Sequence, residues 1–110
     1  MSPKEREKRF TALKGMKCLC CVVEDNEQHM PTEIHHLNFD GKAGQKRRGD
    51  EYTIPLCSYH HRGVYPEWIT GDDALYYWGP SLARNSRLFR ETYGTDDQLL
   101  QTANEQIGAM

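Results

Sequence analysis

Hydrophobic residues in this chain come in short groups, separated by polar and glycine-containing segments. The first group belongs to a predicted helix over residues 2–14. Ser2 can cap this helix, Pro3 suits its first turn, and Glu5 stands three positions after Ser2, as in a capping box. Gly15 is a plausible end. The pattern therefore predicts a short helix with a thin apolar face, Phe10 and Leu13, before any strand.

Two short apolar runs in the middle of the chain predict strands, over residues 33–37 and 52–56. A Gly-, Lys- and Arg-rich loop, residues 38–51, connects them. Ser58 can cap a helix that starts at about Tyr59. The order strand, long connection, strand, helix predicts a ββα unit.

Residues 64–80 form a turn-rich segment with a short predicted helix near residues 72–78. Large aromatic side chains more often belong to a core than to an exposed platform. We therefore expect the four large aromatic residues of this segment to pack in the core: Trp68, Tyr76, Tyr77 and Trp78.

Two helices are predicted at the C-terminal end. Ser81 can cap a helix over residues 81–93, which Gly94 ends. Thr95 and Gln98 are spaced as a capping box and begin a last helix that runs to about Ile107. The whole pattern predicts a small α+β fold: a ββα core with an N-terminal helix and C-terminal helices.

The length of 110 residues favours a single domain over residues 1–110, with a motif core at about 16–65 and a helical part at about 72–107. Hydrophobic residues make up 37% of the chain and charged residues 27%. A core this lean benefits from a metal staple, as small metal-bound domains do.

Four residues have the spacing of a structural zinc site. Cys18 and Cys21 form one pair with two residues between them, and Cys57 and His60 form a second. Together they make a Cys₃His set, which closes the four positions of tetrahedral zinc. Cys20 lies between the first two ligands, and we expect it to be a free structural thiol.

The cysteines do not resemble a disulfide framework, because Cys18, Cys20 and Cys21 are crowded together and no secretory signal precedes them. No apolar run approaches the roughly 20 residues of a membrane span. We expect a reducing, cytoplasmic environment, in which thiolates are available to bind a metal.

Three histidines remain after the zinc set is filled: His35, His36 and His61. Spare histidines beside a metal-organised fold suggest a second, catalytic centre. Since neighbouring strand residues face opposite sides, one of His35 and His36 can bind an ion while the other faces a substrate. The fifth histidine, His29, is expected to be a solvated loop residue.

The net charge of −2 hides an uneven distribution. Residues 4–17 and the loop after the double histidine are basic, and such a split can bind phosphate at low total charge. Ordinary solvated charge remains an open alternative for either run. The loop residues proposed for DNA contact are Lys42, Lys46, Arg47 and Arg48.

Four stretches of the sequence resemble the HNH, or ββα-metal, nucleases, and in particular the phage recombination-enhancement type of RecA-dependent nuclease. They are the Cys18–Cys21 pair, EIHHL at 33–37, TIPLCSYHHRG at 53–63 and LFRETYG at 88–94. The resemblance covers roughly residues 16–107. It implies a metal-dependent DNA endonuclease associated with recombination, with DNA and the RecA filament as partners.

The resemblance also implies roles for the spare histidines. His36 matches the general base, and His35 and His61 match the ligands of a catalytic divalent ion (Mg²⁺, Mn²⁺ or Zn²⁺). Cys18, Cys21, Cys57 and His60 match the structural zinc site. These roles suit phosphodiester hydrolysis, which needs an activated water and a cation beside the leaving oxygen.

The chain departs from the HNH pattern at two positions. Thr53 stands near the place of the middle Asn, and Tyr65 stands near the place of a further metal-binding histidine. Substitute ligands are Glu67, Asp72 or Asp73, or water. Two other functions remain open: a non-catalytic, zinc-stabilised DNA-binding accessory protein of recombination, and a nuclease of restriction.

Overall fold

The computed structural model describes residues 1–38 and 47–108, which form a small α+β fold with a two-stranded sheet and six helices. Two residues of the predicted basic loop, Lys42 and Lys46, lie outside the described residues. The order of elements is α1 (Pro3–Lys14), α2 (Leu19–Val23), β1 (Thr32–His36), β2 (Thr53–Cys57), α3 (Ser58–Arg62), α4 (Gly71–Trp78), α5 (Ser86–Tyr93) and α6 (Asp96–Gly108). No helix among these elements is long and apolar enough to cross a membrane.

The sheet pairs β1 and β2 antiparallel, with His35 opposite Ile54 and His36 opposite Thr53. All five residues of β2 are buried, whereas those of β1 are half-buried. β2 is therefore the strand that lies in the core, and β1 places its histidines at the border between core and solvent.

Arg9 of α1 ties the N-terminal helix to the rest of the fold. Its guanidinium donates to the Thr53 hydroxyl at 2.8 Å and the Thr53 carbonyl at 2.6 Å, and to Asn104 Oδ1 at 2.8 Å. Burial lowers the pKa of Arg9. Arg9 belongs to the basic run 4–17, but its guanidinium is engaged in hydrogen bonds within the fold. It is therefore not available to bind phosphate.

Two helix starts predicted from the sequence are confirmed. In α1, the Glu5 amide donates to the Ser2 hydroxyl at 3.1 Å. In α6, the Gln98 amide donates to the Thr95 hydroxyl at 3.2 Å, and the Thr95 amide donates to the Gln98 side chain at 2.8 Å. The latter pair is a complete capping box.

Two other predicted starts are wrong. Ser58 does not cap α3; Cys57 does, since its Sγ accepts from the His60 amide at 3.5 Å. The helix expected from residue 81 begins at Ser86. The Ser81 hydroxyl instead accepts from the Arg84 amide at 3.2 Å, within a turn that precedes α5.

The short helix predicted near residues 72–78 is confirmed as α4. The burial expected for the aromatic residues of segment 64–80 is correct for Trp78. It is wrong for the three others, which are largely exposed: Trp68, Tyr76 and Tyr77.

Candidate metal centre and histidine groove

Cys18, Cys21, Cys57 and His60 converge from three elements onto one buried point. Cys18 and Cys21 flank the first turn of α2, Cys57 ends β2, and His60 lies one turn later in α3. One ligand atom from each residue falls within 4.8 Å of the others, and all four residues are buried. The ligand set expected from the sequence is therefore assembled in space.

Distances within this cluster fit a tetrahedral zinc ion. His60 Nδ1 lies 3.5 Å from Cys18 Sγ, 3.6 Å from Cys21 Sγ and 3.3 Å from Cys57 Sγ. Cys21 and Cys57 Sγ are 3.9 Å apart. Bonds of about 2.3 Å to sulfur and about 2.0–2.1 Å to nitrogen give ligand separations of roughly 3.5–3.8 Å at tetrahedral angles. The cluster can hold such an ion with little movement.

Surrounding groups orient His60 for this task. Its Nε2 donates to the Trp78 carbonyl at 2.7 Å, which leaves the lone pair of a neutral ring on Nδ1, toward the sulfurs. Burial by itself lowers the pKa of His60, but hydrogen bonds with Cys18 and Cys57 outweigh burial and raise it to about 10. The Cys18 and Cys57 sulfurs thus favour positive charge beside them, which a divalent ion would supply.

Cys20 lies outside this four-ligand set although it is fully buried. Burial raises the pKa of Cys20 above its ordinary value, so the side chain stays a neutral thiol. This agrees with the structural role expected for it.

His35 and His61 form a second candidate ion site. His35 Nδ1 lies 3.1 Å from His61 Nε2. Two imidazole nitrogens bound to one ion at about 2.0–2.1 Å stand roughly 3.0–3.4 Å apart at angles between 90° and tetrahedral. The strand β1 and the helix α3 therefore bring together two nitrogens at the separation of a shared ion.

Glu33 orients His61 within this pair. Its carboxylate accepts from His61 Nδ1 at 3.0 Å and from two nitrogens of Arg62 at 2.9 and 2.6 Å. The hydrogen bonds from Arg62 lower the pKa of Glu33, which keeps it ionised. Because an ionised carboxylate only accepts, His61 Nδ1 carries the proton and Nε2 directs its lone pair at His35.

His36 points away from that pair and toward Asp50. Its Nε2 lies 3.1 Å from Asp50 Oδ1, and its ring packs edge-on against Phe10 at 5.8 Å. The Thr53 hydroxyl, near the expected place of the HNH asparagine, donates to the Asp50 carbonyl at 2.8 Å. Strand alternation thus separates His35 from His36, as expected from the sequence.

A groove of about 650 Å³ opens over the His35–His61 pair. Its opposite wall is α5, and His36 is not among the residues that line it. Arg90, on this wall, is paired with Asp96. The charged and polar lining residues include Asn38, Arg62, Ser86, Arg87 and Arg90.

The two described residues of the basic loop differ. Arg47 is exposed, and its charge acts on His35. Arg48 pairs with Asp97 at 3.2 Å and lies over the Tyr52 ring at 3.9 Å. Arg47 is therefore the better placed of the two for a phosphate contact.

No third histidine, cysteine or carboxylate joins His35 and His61 within residues 1–38 and 47–108. The suggested substitutes, Glu67, Asp72 and Asp73, are exposed and do not line the groove. Among the described residues, the pair supplies two protein ligands.

The sequence reasoning missed Glu33, Asp50 and the α5 arginines. Glu33 had a readable signal, since it stands two residues before His35 and so shares its strand face. Asp50 and Arg87 had none, because they reach the site only through the sheet pairing and the return of the chain at α5.

A pH experiment tests the environment of His35. Burial, followed by the charges of His61, His36, Arg90 and Arg47, lowers the pKa of His35 to about 3. The unfolded chain, with an ordinary histidine pKa of about 6.5, binds a proton that the folded chain refuses. The free energy of unfolding therefore falls as pH decreases from about 6.5 toward 3, by at most about 1.4 kcal/mol per pH unit from this residue.

Denaturant unfolding at pH 7, 6 and 5 measures this effect, with His35→Asn as the comparison. Loss in acid of an ion held by the Cys₃His cluster would be common to both proteins and would cancel in the difference. We expect the wild-type free energy to fall more steeply than that of the variant. Parallel curves would show that His35 is not held neutral by the fold.

These features define a small α+β protein with a candidate structural metal centre next to a histidine-lined groove. The family model for recombination enhancement, RecA-dependent nucleases matches residues 3–108. The chain therefore belongs to that family, whose description supports the nuclease class expected from the sequence. No protein with a curated description matches the chain.

Proposed function

We propose that this protein is a metal-dependent DNA endonuclease of the HNH type that hydrolyses phosphodiester bonds in RecA-dependent recombination. One observation carries the proposal: His35 Nδ1 and His61 Nε2 face each other at 3.1 Å at the base of a groove with arginines on its walls. Family membership supports the nuclease activity and the dependence on RecA.

The order β1, β2, α3 supports the HNH assignment. His35 lies on the first strand, and His61 lies on the helix that follows the second strand directly. The structural zinc site spans the same unit through Cys57 and His60. A structural and a catalytic ion at this ββα unit would account for six of the residues singled out in the sequence.

His36 is proposed as the general base. Of the five histidines, all within the described residues, His60 belongs to the zinc cluster, His35 and His61 form the ion site, and His29 stacks on Trp78 at 4.9 Å. Asp50 accepts from His36 Nε2, which leaves the lone pair on Nδ1. A neutral imidazole with a carboxylate partner is suited to accepting a proton near neutral pH.

In the proposed reaction the scissile phosphate lies across the edge of β1, between the His35–His61 pair on one side and His36 on the other, and His36 takes a proton at Nδ1 as the water oxygen bonds to phosphorus. Asp50 stabilises the imidazolium that forms. The bond from phosphorus to the leaving oxygen breaks, and that oxygen receives a proton from solvent. His35 and His61 would hold a divalent ion, which would neutralise charge that develops on the leaving oxygen.

Removing the ion ligands tests this assignment. His61→Ala and His35→Ala, as zinc-loaded proteins, are expected to cut RecA-coated DNA more slowly than wild type, with the ion requirement shifted to higher Mg²⁺ or Mn²⁺. The reason is that each substitution deletes one of two protein ligands. Cleavage rates across an ion titration measure the shift, and an unchanged titration curve for both variants would contradict the ion site.

A salt titration tests Arg87 of the groove, and Arg47, whose charge acts on His35, as phosphate contacts. Each phosphate contact on duplex DNA contributes about −0.9 to the slope of log affinity against log salt. The double variant Arg47→Ala, Arg87→Ala is expected to reduce that slope by about 1.8. The matched double substitution to lysine keeps both charges and should keep the slope. Equal slopes for the alanine and wild-type proteins would show that neither arginine contacts a DNA phosphate.

The non-catalytic alternative has one observation in its favour. Within the described residues His35 and His61 have no third protein ligand, which lowers the expected affinity for an ion. A zinc-stabilised DNA-binding accessory protein would bind DNA with the same salt dependence and cleave nothing.

A further inference from the structure

Three aromatic side chains stand exposed on α4 and in the turn before it, where Trp68 and Tyr77 line one groove and Tyr76 contacts Tyr77. Trp68 is 68% exposed, Tyr76 81% and Tyr77 63%. Clustered exposed aromatic surface on a soluble protein typically marks a binding site. The nuclease mechanism uses none of these residues, and none of them lines the histidine groove.

The surroundings hold these aromatics in place. Trp68 packs edge-on against Trp78 at 5.8 Å and against His29 at 5.4 Å. Asn26 donates to the Tyr77 carbonyl at 3.0 Å. A groove of about 440 Å³ runs between them, with Asn26, His29, Trp68 and Tyr77 in its lining. The surface is therefore preformed, which reduces the entropy lost when a partner binds.

Charge decides which partner fits. Residues 24–31 and 64–80, which build this surface, contain no lysine or arginine. Their exposed carboxylates are Asp25, Glu27, Glu67, Asp72 and Asp73. Aromatic rings can stack on DNA bases, but DNA binding by such platforms also needs cations for the backbone. A surface with five exposed carboxylates repels phosphate and attracts a basic protein.

We propose that this acidic aromatic face, formed by Trp68, Tyr76 and Tyr77 with the five carboxylates, docks on a basic protein surface of the RecA filament. The inference rests on the proposed function, because the requirement for RecA comes from the family. Exposed aromatics are the residue type that dominates binding energy at protein interfaces, and complementary charge speeds association. The arginine-bearing histidine groove remains available to DNA.

The zinc centre supports the same face. His60 Nε2 donates to the carbonyl of Trp78, the last residue of α4. Trp78 in turn packs against Trp68 and His29. The ion cluster therefore anchors the docking helix as well as the ββα unit.

Binding to RecA filaments formed on single-stranded DNA tests the inference, with a fluorescent label on the nuclease and naked DNA measured in parallel. All proteins carry His36→Ala, so that binding is read without cleavage. The double variant Trp68→Ala, Tyr77→Ala and the charge reversal Asp72→Lys, Asp73→Lys are each expected to weaken filament binding by about tenfold or more. Glu105→Lys reverses the charge of an exposed carboxylate on α6, away from this face, and as the control should bind as the parent does. Zinc content and melting temperature confirm that each variant is folded.

Several outcomes would overturn the inference. Unchanged filament affinity in both double variants would do so, as would a parent protein that does not bind the filament. If the variants lose affinity only for naked DNA, the face binds nucleic acid and not the filament protein. If the parent is a dimer that the variants dissociate, the face is a contact between two copies of this chain. Failure of the proposed function is distinct: filament binding through this face by a protein that never cleaves DNA leaves the inference standing.

Discussion

Replacing Cys57 with serine is expected to abolish zinc binding and unfold most of the protein. Cys57 joins β2 to α3, and its thiol also caps α3. Binding of structural zinc contributes apparent free energies of about 10–16 kcal/mol in small zinc domains. A domain of this size has a total stability of about 5–15 kcal/mol. Losing the ion is therefore expected to remove the folded state at ordinary temperature.

Circular dichroism and metal analysis measure this outcome, and a strong chelator added to wild-type protein should reproduce it. Cys20→Ala provides the control, since Cys20 is equally buried and lies outside the ligand set. We expect that variant to keep one zinc ion and to remain folded with reduced stability. A folded, cooperative Cys57→Ser protein, or native protein that contains no zinc, would contradict the structural site.

The second large effect is expected from His36→Ala, which should reduce the rate of DNA cleavage by about 10²–10⁴-fold. His36 contacts no residue of the zinc cluster, so zinc content should stay at the wild-type level. DNA affinity should also change little, because the groove arginines proposed to contact phosphates are unchanged. Single-turnover cleavage rates, measured together with zinc content, check the prediction.

Imidazole rescue separates a lost base from a local structural defect. In His36→Gly, added imidazole should restore part of the cleavage rate, with a dependence on the fraction of neutral imidazole. Asp50→Asn should lower the rate less than His36→Ala does, because it weakens the orientation of the ring while keeping the ring itself. Cleavage by His36→Ala at the wild-type rate would show that another group accepts the proton.

Helix-capping signals in the sequence were reliable where both hydrogen-bond partners are close in the chain. The pairs Ser2–Glu5 and Thr95–Gln98 start α1 and α6 as expected, because both partners of each capping bond lie within one turn. The Cys₃His cluster was also predictable, because each of its two pairs has two residues between the ligands. That spacing lets both side chains of a pair reach one ion.

Long-range contacts explain where the sequence was misleading. The Leu82 amide donates to the His60 carbonyl at 2.8 Å, and Arg84 Nε donates to the Gly63 carbonyl at 3.0 Å. These bonds hold the segment before α5 against α3, so the helix begins at Ser86 and not at residue 81. No pattern within residues 81–93 contains that information.

The exposed aromatics show the same limit. Trp68 and Trp78 belong to the same turn-rich segment and both contact His29, yet only Trp78 packs against the buried Tyr59. Composition predicts that most aromatics are buried and does not identify those that a partner covers. The exposure of Trp68, Tyr76 and Tyr77 together with nearby carboxylates identifies the face, and both are properties of the folded chain.

The central claim is tested most directly by DNA cleavage with wild-type protein that contains one zinc ion, measured with and without a RecA filament in Mg²⁺ or Mn²⁺. Our account predicts cleavage of filament-bearing DNA and little or none of naked DNA. Protein that is folded and zinc-loaded, binds the filament and cleaves no DNA under either ion would contradict the account.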